Sequence, residues 1–404
     1  MMMDWEKKQL RDVCEIGDGN YSSKYPKAND FIASGIPFIT AKNLKYGTVV
    51  SKHIRYISED QHSTLTKGHV KEGDLVIVVR GSSTGNCSLV PHEYKNSNLN
   101  SQLAYLRTEN NILDSKFLYY IFSSPCIQKV VYETISGSAQ PQLPNNKLLG
   151  IEISFPPLNE QKRIVAKLDE CFETIHIARA NVEKNLQNAK DLFQSQLNQI
   201  FSQKDDGWVE KKLGDICERV SVGHVGKTSE YYCGEDGIPF LRSQNVRKGF
   251  LDFENIRYIT KEFHKSLKKS QLCKNDLLFV RVGANRGDCC AIKEDHHQLN
   301  CANIVFARPT SGNVKFLEYY CLSPIGRNRL LGMTTGSAQG VINTKSVEKL
   351  KISMPLDNEQ NSIVSALTDL KEKTLNIESN YQQELSALDE LKKSILQKAF
   401  NGEL

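Results

Sequence analysis

The 404-residue sequence contains no apolar run near the ~20 residues that a membrane span needs. Its opening, MMMDWEKKQL, lacks the apolar core of a signal peptide. Its eleven cysteines follow no disulfide framework, so they are expected as reduced thiols in a cytoplasmic protein. Charge of one sign is also scarce. The net +5 is modest, and no strongly basic tract is present. With 39% hydrophobic and 25% charged residues, the composition is that of a globular chain long enough for two or three domains.

Catalytic motifs are missing as well. Gly223-His-Val-Gly226-Lys227-Thr228 ends like a phosphate loop, but Ser221 stands where the first glycine of G-x-x-x-x-G-K-[ST] belongs. Nucleotide hydrolysis through Lys227 and Thr228 is therefore only an alternative. Phe155-Pro156-Pro157-Leu158 lacks both the polar first and the aromatic last residue of the Asn/Asp-Pro-Pro-aromatic motif of amino-methyltransferases. His296, His297 and Cys301, and the neighbours Cys289 and Cys290, do not show zinc-site spacing. No Gly-x-Ser-x-Gly elbow is present. The chain reads as non-catalytic, with no metal.

What the sequence does have is itself, twice. Gly137–Phe201 and Gly336–Phe400 align at an offset of 199 without a gap, with 20 of 65 positions identical. Both copies open on GSAQ and pass through Pro-x-x-Asn-Glu-Gln. Upstream, GIPFITAKNLKYG at Gly35 returns as GIPFLRSQNVRKG at Gly237, and IRYIS at Ile54 as IRYIT at Ile256. Asp74–Cys87 (DLVIVVRGSSTGNC) returns as Asp276–Cys289 (DLLFVRVGANRGDC), and FLYYIFSSP at Phe117 as FLEYYCLSP at Phe316. The unit is a body followed by a helix, repeated once. Expected boundaries are 1–158 and 205–357 for the bodies, and 159–204 and 358–404 for the helices.

Within the bodies, β-branched runs at Leu75–Val79, Leu277–Val282 and Asn303–Phe306 predict strands. The FLYYIFSSP segment predicts a helix capped by Asp114 or Ser115. Irregular alternation of short strands and helices gives an α+β class. The two repeated segments carry apolar residues in a 4-3 spacing, through Leu168, Phe172, Ile175, Val182, Leu186, Ala189, Phe193 and Ile200 in the first. The second runs through Ile363, Leu367, Leu370, Ile377, Tyr381, Leu385, Leu388, Leu391 and Ile395. Neither helix contains Pro or Gly, so each runs for about 42 residues, ~63 Å. Asn159 and Asn358 are the expected N-caps. The expected solution is an antiparallel, coiled-coil-like pair in which each helix buries the other's stripe, giving a pseudo-twofold repeat with the two chain ends close together. The alternative is that each helix packs on its own body.

The helices carry −2 together against a chain total of +5, so the rest holds +7, compatible with a polyanion partner. Two pairs of matched segments differ at their tips while their apolar frames agree. One is Thr40-Ala-Lys42-Asn43 against Arg242-Ser-Gln244-Asn245. The other is Arg80-Gly-Ser82-Ser83-Thr84-Gly-Asn86 against Arg281-Val-Gly-Ala-Asn285-Arg286-Gly-Asp288. Glycine permits close backbone approach. Arg reads guanine, Asn and Gln read adenine, and Ser or Thr bond to base or phosphate. This is the pattern of two modules reading different sequences, with ordinary solvated turns as the alternative. Gln140 and Gln339 in the GSAQ turns either touch phosphate or cap local backbone.

Two variable bodies, two repeated helices, GSAQ turns and Pro-x-x-Asn-Glu-Gln helix starts resemble the specificity subunit of Type I restriction–modification systems. The resemblance covers essentially the whole chain. It implies two target recognition domains separated by two long antiparallel helices, each domain reading one half of an asymmetric, bipartite site on double-stranded DNA. On that reading the helices set the gap between half-sites, one to two duplex turns, and dock two methyltransferase subunits. Two restriction subunits are admitted as further partners. S-adenosylmethionine and ATP belong on those partners, and this chain binds neither. A stand-alone DNA-binding or inhibitory protein of the same architecture is the rival reading.

Overall fold

The computed structural model describes residues 5–20, 23–45, 47–109, 111–137, 140–203, 207–294, 298–333 and 340–404. The chain divides into two compact units, Met1–Val182 with Gln383–Leu404, and Glu183–Gln382. Both are α+β, and both follow one plan, as the duplication requires.

In the first unit a six-stranded sheet runs in the order Cys14–Asp18, Leu103–Thr108, Leu75–Val78, Cys87–Leu89, Thr48–Val49, Leu44–Lys45. Its Leu75–Val78 strand is covered on both faces, which is why it reads as an unbroken apolar run. Leu75 and Ile77 join Phe117, Leu118 and Phe122 of the helix Ser115–Ser123; Val76 and Val78 join Ile39, Leu99 and Leu103. Leu277–Val280 holds the same place in the second unit. Leu277 and Phe279 pack with Phe316 and Tyr320, and Leu278 and Val280 with Leu241 and Cys301.

Both strands stop short of their expected ends, and Asn303 stays outside the strand Ile304–Pro309 with a positive φ of 53°. The chain leaves both ladders for turns at Gly81 and Gly283, where φ is +107° and +90°. Asp114 caps its helix as expected, accepting the N–H groups of Lys116 (3.0 Å) and Phe117 (2.9 Å).

The long helices span Leu158–Ser202 and Asp357–Phe400. Asn159 and Asn358 do not cap them but lie inside the first turn. The opening helical bonds run from Gln161 N to Pro157 O (3.1 Å) and from Gln360 N to Leu356 O (3.0 Å). The motif's glutamine does the fastening instead. Gln161 is fully buried; its Nε2 donates to the carbonyls of Ile112 (2.9 Å) and Pro156 (2.8 Å), and its Oε1 accepts from Asp114 N (2.8 Å). Gln360 bonds in the same way to Pro355 O (2.9 Å) and Asn313 N (2.9 Å). Each glutamine thus ties the long helix to the cap of the shorter helix beneath it. Gln161→Leu keeps the volume but strands three buried polar groups, and it is expected to cost about 2–4 kcal/mol. Denaturant unfolding of the full chain measures this. A loss no larger than that of the exposed-site control Lys162→Leu would contradict it.

Within the first unit the helical segments run antiparallel. Arg163 donates to the carbonyl of Leu404 (2.6 Å), and Arg179 donates to both carboxylate oxygens of Asp389 (2.8 and 2.9 Å). Ile164, Leu168, Leu396 and Ala399 share one core with Leu118 and Ile153. The start of the first helix thus packs on its own body and the end of the second helix packs on that same body, so neither expected solution describes the stripe by itself. Trp5 and Leu404 both border that core. In the second unit Leu197, Phe201 and Leu367 play the same part with Leu213 and Phe316. Ile377 and Leu391, expected in the seam, are 39% and 47% exposed, while Thr374 and Leu396 are buried. A straight helix drifts about 20° per heptad from a 3.5-residue repeat, and the buried stripe drifts with it.

Candidate nucleic-acid interface

In each unit a short strand delivers the first candidate turn: Ile36–Ile39 leads into Thr40–Asn43, and Ile238–Leu241 into Arg242–Asn245. Asn43 and Asn245 are fully buried. Asn43 Oδ1 accepts from Thr40 N and Thr40 Oγ1 (both 2.9 Å), and its Nδ2 donates to the carbonyls of Val50 (3.3 Å) and Lys52 (3.2 Å). Asn245 accepts from Arg242 N (3.0 Å) and donates to Asp252 O (2.8 Å). Their expected role as base readers is corrected: these asparagines build the turns. The tips are Lys42 and Gln244, both exposed. Arg242 is half-buried and donates Nη2 to Asn255 O (2.9 Å).

The second candidate loops meet the residues that follow the GSAQ motifs, Pro141–Leu143 in the first unit and Gly340–Ile342 in the second, a link that nothing in the spacing foretold. In the first unit Gly81 N and Thr84 Oγ1 donate to Pro141 O (3.0 and 3.2 Å), and Leu143 N donates to Val79 O (2.9 Å). In the second, Ile342 N donates to Arg281 O and Arg281 Nε to Ile342 O (both 3.2 Å), while Arg286 Nη1 donates to Gly340 O. Gln140 is exposed beside Pro141; Gln339 lies outside the described residues. Ser82 is exposed, and Arg80, Ser83, Thr84, Arg281, Asn285 and Arg286 are half-buried. Arg80 lines a cavity of about 260 Å³ with Asp18, Gln142 and Asn145. Gly81, Gly85, Gly283 and Gly287 all have φ between +85° and +107°. Their glycine is required by the turn itself rather than by the approach of a ligand.

A third turn joins the first two. Asn100 N donates to Ile39 O (2.9 Å), and Val79 N donates to Gln102 O (2.8 Å). Thr40, Asn100–Gln102, Val79–Gly81 and Pro141 thus form one strip. Its counterpart runs from Arg242 through Ala302 and Asn303 to Arg281 and Ile342: Ala302 N donates to Leu241 O (2.9 Å), Ser243 Oγ to Asn303 O (3.3 Å), and Ile304 pairs with Val280. Gln102 and Asn303 are exposed at matching places, and neither was foreseen from the sequence. The available signal was a change in repeat length. Leu99 matches Cys301 at an offset of 202, but Leu103 matches Ile304 at 201.

Gly223–Thr228 is followed only by the short 3₁₀ turn Ser229–Tyr231, so no helix N-terminus faces a phosphate there. Thr228 Oγ1 is within hydrogen-bonding distance of Tyr232 OH (2.8 Å). All eleven cysteines are free, and burial pushes the thiols of Cys14, Cys87 and Cys217 up to about 12, so they are not thiolates at neutral pH. Among the described residues no group of three His, Cys, Asp or Glu is placed to hold a metal ion; His296 and His297 lie outside them. No described helix is long and apolar enough to cross a membrane.

A family model described as the Type I restriction modification DNA specificity domain matches residues 2–188 and again 205–387. The chain is 25% identical over 409 residues to the Type I restriction enzyme EcoBI specificity subunit of Escherichia coli, covering 92% of this chain and 84% of that protein. It is 23% identical to the MjaIX specificity subunit of Methanocaldococcus jannaschii, covering 99% and 94%. One chain from a structure described as the basis of complex assembly and conformational transition of the type I R-M system superposes with a TM-score of 0.80 at 21% identity, over 99% of this chain and 98% of that one. The HsdS subunit from Thermoanaerobacter tengcongensis superposes with a TM-score of 0.56 at 19% identity, over 100% and 98%. The structural likenesses show a shared fold.

Proposed function

The chain belongs to the Type I restriction–modification DNA specificity family, and from that premise we propose that each of its two units reads one half of an asymmetric, two-part site on double-stranded DNA. The observation that carries this reading is a constant frame with unlike tips. The buried strands, the Gln161 and Gln360 fastenings and the three-turn strip recur in both units. Along that strip Lys42 stands against Gln244, Ser83 against Asn285, and Thr84 against Arg286. A repeated frame with different donors and acceptors suits two half-sites of different sequence.

The subunit is itself non-catalytic and acts in the cytoplasm. Adenine methylation with S-adenosylmethionine, and ATP-driven work, reside on partners: two methyltransferase subunits and, where present, two restriction subunits. The long helices set the unread gap and offer apolar side chains for docking. Ile177 and Leu192 on the first helix and Leu375 on the second are 54%, 47% and 52% exposed.

Lys42→Ala and Gln244→Ala test the half-site assignment. Each is expected to relax one half of the recognised motif, a different half for each, by about 5–150-fold in discrimination, the worth of 1–3 kcal/mol. The readout is the methylated motif in cells that co-express the chain with its cognate methyltransferase subunit. Equal relaxation of both halves by either variant would defeat the assignment.

A further inference from the structure

Two arginines missed by the sequence reading stand at one place in both units. Arg55 opens the strand Arg55–Ile57 opposite Phe38, and Arg257 opens Arg257–Ile259 opposite Phe240. The strands they pair with run straight into the turns tipped by Lys42 and Gln244. Those turns are bonded to the backbone just before each arginine, through Asn43 Nδ2 to Lys52 O (3.2 Å) and Arg242 Nη2 to Asn255 O (2.9 Å). Both arginines are exposed. Among the described residues neither makes an ion pair, whereas Arg107, Arg247, Arg308 and Arg327 in the same bodies are each held by a carboxylate. Instead each guanidinium is within cation–π range of an aromatic ring: Arg55 is 4.0 Å from the centroid of Phe31, and Arg257 is 5.9 Å from that of Tyr232. The support differs between the units, and the arginine is kept.

We propose that Arg55 and Arg257 are matched phosphate contacts that set the register of the duplex against the recognition turns of each unit. This rests on the DNA-reading function above and goes beyond it. The two copies of the repeat differ at their tips and agree at this arginine. Tips that differ between units suit base edges, which differ between half-sites. A charged group that is the same in both suits what both half-sites share, the phosphodiester backbone. A ring beside an exposed guanidinium limits the side chain's freedom without using its N–H groups, so less is lost on binding a phosphate oxygen.

The test uses the purified assembly of this chain with its methyltransferase partner. Two duplexes serve as probes, one carrying the mapped motif and one with the motif scrambled, each titrated from 50 to 200 mM salt. Arg55→Ala and Arg257→Ala are each expected to weaken binding to both duplexes alike. Each should reduce the slope of log K against log salt by about 0.9, so the 50-to-200 mM affinity ratio shrinks about threefold per arginine. Arg55→Lys keeps the charge and should keep the slope. An unchanged slope in the alanine variants would overturn the proposal. So would weakening confined to the motif duplex, which would mark a base contact. If the unsubstituted assembly does not prefer the motif duplex, the DNA-reading function itself fails, and this assignment fails with it.

Discussion

Asp276→Ala is expected to lower the stability of the second unit by about 3–5 kcal/mol, the cost of removing one partner from a buried ion pair. Asp276 has no solvent exposure. Its Oδ1 and Oδ2 accept from Arg308 Nε (2.7 Å) and Nη2 (2.8 Å), and Oδ2 also accepts from Cys273 N (2.8 Å). The first unit repeats the arrangement, with Asp74 accepting from Arg107 Nε and Nη2 (both 2.8 Å) and from Lys71 N (2.7 Å). In both, the carboxylate raises the guanidinium pKa above its ordinary value, by hydrogen bonding first of all. Alanine leaves Arg308, only 19% exposed at its side chain, without its counter-ion. Against the 5–15 kcal/mol typical of a whole domain, that loss is large. Denaturant unfolding measures it. Asp276→Leu combined with Arg308→Met should cost less than Asp276→Ala alone, because no charge is left stranded. A greater cost for the pair would contradict the account.

Arg281→Ala with Arg286→Ala is expected to erase the reading of one half-site while leaving the other intact. Both side chains donate into the backbone of 340–342, so they hold the second unit's loop against its neighbour. As the base contacts proposed for that half-site, two interactions worth about 1–3 kcal/mol each amount to roughly 30-fold or more in discrimination. Chain-dependent methylation should then fall on sites that keep only the first unit's half of the motif. Equal loss across both halves would contradict the division of labour between the units.

Much of this architecture was legible because it is written twice. Repetition exposed the bodies, the long helices and the Asn-Glu-Gln starts, and local rules placed Asp114 at its cap and Leu75 and Leu277 on strands. What could not be read depends on contacts between residues far apart in sequence. The order of the sheets, the pairing of Asp74 with Arg107 and the meeting of Pro141–Leu143 and Ile342 with the glycine loops are of this kind. Residue type misled where one side chain has two uses. An asparagine in a turn suits adenine equally well on paper, yet Asn43 and Asn245 face inward and close four or more local bonds in each turn. Asn159 and Asn358 were natural caps by type, but buried Gln161 and Gln360 already anchor those helix starts to the bodies. The exposed arginines Arg55 and Arg257 were hidden in plain view inside IRYI, a motif whose repetition looked like framework alone.

Methylation mapping of DNA from cells that express the cognate methyltransferase subunit, with and without this chain, tests the central claim most directly. The account predicts modified adenines within a two-part asymmetric motif, present only when the chain is present. No chain-dependent modification, in a preparation where the two proteins demonstrably associate, would contradict it.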